Sequence, residues 1–364
     1  MHISIFKRMV VVYSIMGKIF GKWVSPFILF PVFFFLRLIV FLFMCLDRCF
    51  YFSLSKISIK NPIVIVGNPR SGTTFLQRFL VNNGFGQGSQ LWQMIYPSVV
   101  LQKLLKPILP LLELISPAKH HSTAAHKTSL SSVETDDVGM LFRFFDGFFL
   151  YGFFLSWSKK DLFSWVDPDI RNNSIRDFNW LESVWKRILI NSKEDRIVAK
   201  LFSVSANCPK FQARYPDSRL LYMVRNPIDV IPSGLSLVTG VLDKKFGFWN
   251  KPKEERDRFI NNLYRGLVEL LLRFEKDWSN DKINKDKILI VKFDAMMNNF
   301  DSLMNEIILF TNHSNSSSLK SIIKVTSNKQ KTYKSEHKYD LSKFGLTKDK
   351  IEQDCKKYYE TFIN

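Results

Sequence analysis

A short apolar run followed by a glycine-bounded loop is the feature that most restricts how this chain can fold. Ile63–Val66 (IVIV) has no polar residue, which is typical of a strand buried on both faces of a parallel sheet. The loop GNPRSGTT follows at residues 67–74, and apolar residues then recur at helical spacing as far as Leu80. A strand, a glycine loop and a helix in this order direct backbone N–H groups at an anion. The segment therefore predicts an α/β fold that binds a phosphate-like group.

The loop departs from the nucleotide-hydrolysing pattern at one position. Its spacing matches G-x-x-x-x-G-K-[ST], but Thr73 stands where that pattern has lysine. That lysine contacts the β- and γ-phosphates of a nucleoside triphosphate. Its absence, together with Arg70 inside the loop, disfavours triphosphate hydrolysis. An ordinary tight turn is the alternative interpretation of the glycine spacing alone.

A second phosphate-binding pattern lies further along the chain. Arg219–Val224 (RLLYMV) predicts another buried strand, and Arg225-Asn226-Pro227 follows it directly. Ser233 stands eight residues after Arg225. A guanidinium fork and a hydroxyl in the first turn of the following helix would suffice to clamp a terminal phosphate. Taken alone, Arg-Asn-Pro is a common turn sequence after a strand. The pattern indicates phosphate binding only in combination with the first loop.

The two patterns, P-R-S-G-T-T and then R-N-P with its serine, resemble the sulfotransferase family that uses 3′-phosphoadenylyl sulfate (PAPS). The matching motifs extend from Pro62 to about residue 346. The resemblance implies that PAPS is the co-substrate and that Arg225 and Ser233 hold its 3′-phosphate. It also implies that Lys200, at the end of the predicted strand 196–200, faces the transferred group. By the same resemblance the 5′-phosphosulfate would be held by Arg70, Ser71, Gly72, Thr73 and Thr74.

Sulfuryl transfer requires a base for the acceptor hydroxyl as well as positive charge around the transferred group. Arg70 and Lys200 would supply that charge. Relatives use a histidine or a glutamate between the two phosphate motifs, which implies Glu134 as the base and His126 as the alternative. A second interpretation of Glu134 is structural, in the first turn of a helix capped by Ser131 or Ser132. No carboxylate cluster adjoins the loop in the sequence, so we expect no metal ion.

The N-terminal region is unusually apolar. Residues 24–46 are long enough to cross a bilayer, although Pro26, Pro31 and the central Arg37 oppose a simple span. Residues 99–115 and 140–157 are also apolar, and buried core helices are the alternative for both. The three stretches together favour a membrane-associated protein, either monotopic or with one span.

These features predict the fold class and the domain organisation. We expect an α/β fold: a P-loop-like parallel sheet flanked by helices, with an N-terminal hydrophobic membrane-associated segment. Its strands should lie at 63–66, 196–200, 219–224 and 288–292. The segment would comprise residues 1–58 and the sulfotransferase domain residues 59–364. Within that domain, about 85–190 would form an acceptor-binding helical insertion, and a lysine-rich loop at 329–346 would close over the nucleotide.

Composition narrows the set of partners. Lys+Arg number 52 against 33 for Asp+Glu, the net charge is +19, and there are 34 phenylalanines. Nucleic acid is disfavoured because no known binding module is present. The sequence predicts sulfation of a hydroxyl on a lipophilic acceptor, a lipid or isoprenoid, by an enzyme that contacts membrane lipids. Few cysteines outside the apolar segment favour a cytosol-facing domain. The alternatives are a Golgi-type glycan sulfotransferase with a luminal domain and a P-loop-like nucleotide-binding membrane protein without sulfotransferase activity.

Overall fold

A computed structural model describes residues 3–116, 128–192, 194–332 and 340–364. The strands are β1 (Ile63–Val66), β2 (Val198–Lys200), β3 (Arg219–Val224) and β4 (Ile288–Lys292). The helices are α1 (Ile5–Phe20), α2 (Val24–Phe50), α3 (Thr73–Asn82), α4 (Leu91–Ile95), α5 (Val99–Leu105), α6 (Leu109–Ile115), α7 (Val138–Phe144), α8 (Phe148–Phe153), α9 (Ser174–Leu189), α10 (Cys208–Arg214), α11 (Pro227–Phe246), α12 (Lys253–Ser279), α13 (Phe293–Asn298), α14 (Phe300–Phe310), α15 (Ser317–Thr332), α16 (Lys348–Asp354) and α17 (Lys356–Tyr358). Shorter helical turns include 3₁₀ segments at Lys106–Ile108, Leu155–Trp157 and Phe202–Ala206 and a π-helical turn at Tyr359–Ile363.

The four strands form one parallel sheet in the order β2-β1-β3-β4. Ile63 of β1 lies opposite Val198 on one side and Arg219 on the other. All four β1 residues are completely buried, as expected for a strand covered on both faces. The predicted α/β fold class is confirmed. β2 is shorter than predicted, because Ile197 makes only an isolated bridge to Gln87.

The strand order creates a topological switch point. From β1 the chain passes to β2 on one side, and it then returns to β3 on the other side of β1. Loops that leave neighbouring parallel strands in opposite directions open a crevice at their carboxyl ends, where such sheets bind ligands. The loop after β1 and the residues after β3 lie at this edge.

The chain divides into two compact units. The first comprises Met1–Ile59, Ser89–Lys193 and Leu235–Gly266, and the second comprises Lys60–Gly88, Glu194–Gly234 and Leu267–Asn364. The second unit contains the whole sheet, and its core joins the strands to α3 and α14 through buried residues such as Leu76, Leu80 and Ile307. Burial of these side chains fixes the position of α3, and with it the loop that precedes α3.

In the first unit, α2 is held by a buried ion pair. The Arg187 Nε–H donates to Asp47 Oδ2 at 2.7 Å, and Asp47 Oδ1 accepts from the Ser98 hydroxyl at 2.8 Å. Among the described residues, α2 is the helix that is long and apolar enough to cross a membrane, with a mean hydropathy of 2.7 in its most apolar window. This criterion rests on length and composition alone.

The other two apolar stretches are broken helices. Residues 99–115 divide into α5 and α6 at the 3₁₀ turn Lys106–Ile108, where Pro107 removes a backbone donor. Residues 140–157 divide into α7 and α8 at Phe145, which has a left-handed backbone (φ 50°). The Arg8 Nε–H donates to the Phe145 carbonyl at 2.8 Å and so helps to hold this unusual turn.

Candidate functional site

The backbone of the loop between β1 and α3 passes close to the backbone of β3. Gly67 has φ 132°, and a Cβ at this position would lie 2.8 Å from the Met223 carbonyl oxygen of β3. The Ser71 hydroxyl donates to the Asn68 carbonyl at 2.7 Å, which closes the turn. No side chain of the described residues caps the N-terminus of α3, so the N–H groups of its first turn are available to an anion.

Arg70 joins this loop to the segment after β3. Its Nε–H donates to the Ser233 Oγ at 3.0 Å, and the Arg225 Nη1 donates to the Arg70 carbonyl at 2.8 Å. Arg70 itself has φ 79°, a region that costs a non-glycine residue about 1–3 kcal/mol and occurs most often at functional sites. The structure therefore brings together three residues that the sequence predicts to bind phosphate groups. Ser233 lies in the second turn of α11 rather than in the first turn, where we expected it, because that helix begins at Pro227.

Lys200 contributes a third cation to the same sheet edge. It is the last residue of β2, its side chain is buried, and its ammonium donates to Thr74 Oγ1 at 3.0 Å. Thr74 lies in the first turn of α3. The predicted lysine and the predicted loop threonine are thus in direct contact.

Two supporting contacts were not foreseen from the sequence. The guanidinium of Arg225 lies 4.1 Å from the ring centroid of Phe293, the first residue of α13, an arrangement that favours a cation. The Tyr359 hydroxyl donates to Asn226 Oδ1 at 2.7 Å, which ties the C-terminal turn to the Arg-Asn-Pro segment. Both partners are distant in the chain, so no local pattern signals them.

The site therefore presents guanidinium groups, an ammonium, hydroxyls and backbone N–H groups at one edge of a parallel sheet. This donor set suits a ligand with several anionic oxygens. Among the described residues no cluster of three or more His, Cys, Asp or Glu side chains has the arrangement of a metal site. Fold and site together describe an α/β domain whose parallel sheet carries several cationic and hydroxyl groups at one edge.

Comparison with known proteins gives the family. Residues 62–314 match the model of the sulfotransferase family, and this match covers more than half of the 364 residues. The chain belongs to the sulfotransferase family and is a sulfotransferase enzyme. A search of curated proteins gave no significant match.

Two solved bacterial structures are similar in fold. Sulfotransferase STF1 from Mycobacterium tuberculosis H37Rv has a TM-score of 0.67 and 17% sequence identity, with 98% of this chain and 91% of that chain covered. Sulfotransferase STF9 from Mycobacterium avium also has a TM-score of 0.67, with 14% identity and with 88% and 81% of the two chains covered. At this level of identity the likeness describes the fold.

Glu134, the predicted base, is not one of the residues in the contacts described above. Glu134 belongs to the first unit and is buried, and its backbone N–H donates to the Ser89 carbonyl at 3.1 Å. His126 is outside the described residues. The predicted cap by Ser131 or Ser132 is wrong, because α7 begins only at Val138, after Glu134.

The neighbouring carboxylates have structural contacts. Asp136 Oδ1 accepts from the Ser89 hydroxyl at 2.5 Å and from the Trp185 Nε1–H at 2.9 Å. Asp137 Oδ2 accepts from the Thr135 hydroxyl at 3.0 Å. These bonds fix the segment around Glu134 by means other than a helix cap.

The predicted lysine-rich loop at 329–346 is partly helical. Lys329 and Lys331 lie in the last turn of α15, and Ser342–Phe344 forms a 3₁₀ turn. Residues 333–339 are outside the described part of the chain. The expected closure over a nucleotide stays a prediction.

Proposed function

We propose that this sulfotransferase takes the sulfuryl group from PAPS and transfers it to a hydroxyl of a lipophilic acceptor. The observation that carries the proposal is the link between Arg70, Ser233 and Arg225 at the switch point of the sheet. These residues come from the two segments that resemble the two phosphate-binding motifs of the family. PAPS has anionic groups at both ends of its ribose, which suits cations on two adjacent loops.

PAPS would supply an activated sulfuryl group, and the protein would bind and orient it. Ser71, Thr73, Thr74 and the first-turn N–H groups of α3 would hold the 5′ end. Arg225 and Ser233 would hold the 3′-phosphate, and Arg70 and Lys200 would stabilise negative charge on the oxygens around sulfur. As the acceptor oxygen bonds to sulfur, the bond from sulfur to the phosphate oxygen breaks, and the hydroxyl proton passes to a base.

We propose Glu134 as that base, with His126 as the alternative. A Glu134→Gln variant should bind 3′,5′-adenosine bisphosphate with wild-type affinity and lose turnover by about 10²-fold or more, because a general base contributes 10²–10⁴-fold. Initial rates with labelled PAPS and calorimetry would measure the two properties separately. Full turnover by the variant would contradict this assignment and favour His126.

The lipophilic acceptor is supported by the surface of the first unit. Exposed apolar side chains follow α2 and α6 and include Phe27, Phe35, Leu38, Leu111 and Leu114. Exposed apolar surface of this extent is typical of contact with lipid or with an apolar ligand. We propose that this surface associates the enzyme with membrane lipids, where a lipid or isoprenoid acceptor is available.

The proposal is tested by incubating the full chain with labelled PAPS and either total lipid extract or glycan extract. We expect label in a chloroform-soluble product and none in glycans, and 3′,5′-adenosine bisphosphate should inhibit the transfer. Label in glycans alone would favour the Golgi-type alternative. Binding of ATP without binding of the bisphosphate would favour a nucleotide-binding membrane protein and contradict PAPS use.

A further inference from the structure

Two partly buried arginines of the first unit each have a guanidinium nitrogen without a hydrogen-bond partner among the described residues. Arg37 lies near the middle of α2, and Arg143 lies in the last turn of α7. The Nε atoms of both are buried and have no hydrogen-bond partner among the described residues. Buried donors are nearly always hydrogen-bonded in proteins, so two such atoms on neighbouring side chains call for a ligand.

Aromatic rings surround both guanidinium groups. Arg37 lies 5.5 Å from the ring centroid of Phe33 and 5.8 Å from that of Phe34. Arg143 lies 4.8 Å from the centroid of Trp180. Ring faces attract cations, but they accept no conventional hydrogen bond from the in-plane N–H groups, so the rings do not satisfy these donors.

No acid of the described residues offsets the charge of either arginine. Burial lowers the pKa of Arg143, and the positive charge of Arg37 lowers that pKa further. Asp146 is only three residues after Arg143, but its carboxylate binds Arg171 and Arg176 at 2.7 and 2.9 Å. No carboxylate of the described residues raises the pKa of Arg143. A bound anion would remove the repulsion between Arg37 and Arg143.

The location of the pair indicates what kind of anion this is. Phe30 and Phe33 of α2 pack against Phe145, with centroid distances of 5.8 and 5.6 Å, so this side of α2 adjoins the end of α7. Other residues of the same helix, such as Phe35 and Leu38, are exposed. An anion with long apolar chains would contact both the arginines and the exposed apolar side chains.

We infer that Arg37 and Arg143 form a binding site for the phosphate group of an anionic lipid. Each planar guanidinium would donate two parallel hydrogen bonds to phosphate oxygens, a geometry that lysine does not reproduce. The acyl chains would lie along the exposed apolar residues of α2. The site involves none of the residues proposed to bind PAPS, and lipid binding would need no sulfuryl transfer.

The test uses the full chain in detergent micelles without PAPS. Phosphatidylglycerol is titrated as the probe, with phosphatidylcholine, whose choline neutralises the headgroup, and inorganic phosphate in parallel. Native mass spectrometry measures lipid affinity, and the unfolding temperature measures stabilisation by bound ligand. Three variants are compared with the wild type. In the double glutamine variant, Arg37 and Arg143 are both changed to glutamine, and in the lysine pair both are changed to lysine. The third variant is Arg48→Gln. Arg48 is an exposed arginine of the same helix, so its variant controls for non-specific attraction.

We expect phosphatidylglycerol to bind more tightly than phosphatidylcholine and to raise the unfolding temperature of the wild type. The double glutamine variant should bind it at least about tenfold more weakly, the lysine pair should be intermediate, and Arg48→Gln should stay within about twofold. Unchanged phosphatidylglycerol affinity in the glutamine or the lysine pair would overturn the inference. If inorganic phosphate stabilises the protein at concentrations as low as those of phosphatidylglycerol, the site binds a soluble anion. That result would overturn the assignment of the site to a lipid. Calorimetry with 3′,5′-adenosine bisphosphate on the same samples tests the PAPS site independently.

Discussion

Arg70 has an unfavourable backbone conformation that is stabilised by its contacts with two other residues of the site. Its positive φ is unfavourable for any side chain with a Cβ. The Arg225 guanidinium, which donates to the Arg70 carbonyl, and the Ser233 hydroxyl, which accepts from its side chain, both favour this conformation. Arg225 thus has two roles in the proposed site, since it presents positive charge and also holds the backbone of the other arginine.

This double role predicts the behaviour of two variants. Arg70→Ala and Arg225→Ala should each weaken the binding of 3′,5′-adenosine bisphosphate by at least about tenfold. This is the loss of affinity expected when one charge-assisted hydrogen bond is removed. The double variant should lose less than the sum of the two losses in binding free energy, because residues in one network are coupled. Calorimetry on the full chain measures this.

Arg214→Ala is the matched control for these variants. Arg214 is exposed and ends α10, before β3 begins, so it lies at the opposite end of that strand from Arg225. Its variant should bind the bisphosphate as the wild type does. Equal affinities for all the variants would contradict the assignment of both arginines.

At the scale of elements, the sequence predicted the strands better than the contacts between them. β1 is buried along its whole length and β3 is buried after its first residue, Arg219, and for that reason the buried parts of both strands are apolar runs. The contact of Arg225 with Phe293 and that of Asn226 with Tyr359 depend on how distant segments meet, which local periodicity does not encode. The break at Phe145 was missed for the same reason, because the hydrogen bond that holds it comes from Arg8.

The turn after β1 predicts a contrast between two glycines. Gly67→Ala would place a methyl group 2.8 Å from the Met223 carbonyl in an unfavourable backbone region, so the free energy of unfolding should fall by about 1–3 kcal/mol. Gly240 lies inside α11, and a Cβ added there would have no atom within 4 Å, so Gly240→Ala should leave stability unchanged or raise it by up to about 1 kcal/mol. Urea unfolding of both variants measures the difference. A stable Gly67→Ala variant would show that β1 and β3 do not constrain the loop.

At the scale of the whole chain, exposed apolar side chains are concentrated in the first unit. Among the described residues, the second unit exposes only Leu309, Ile322 and Val325 as large apolar side chains. The Cys208 and Cys355 thiols of the second unit are free, and burial raises the pKa of both. Free thiols are typical of a reducing compartment, and on this ground we propose that the catalytic domain faces the cytosol.

This orientation predicts the fate of two glycosylation sequons in the second unit. Asn312-His313-Ser314 and Asn315-Ser316-Ser317 both match N-x-[ST], and both asparagines are exposed. In a eukaryotic translation system with microsomes, the full chain should gain no glycan, because the modifying enzyme acts only in the lumen. The control is the same chain preceded by a cleavable secretory signal, which should be glycosylated and should lose the glycan in the double variant Asn312→Gln, Asn315→Gln. A glycan on the chain without the added signal would place the catalytic unit in the lumen and favour the glycan sulfotransferase alternative.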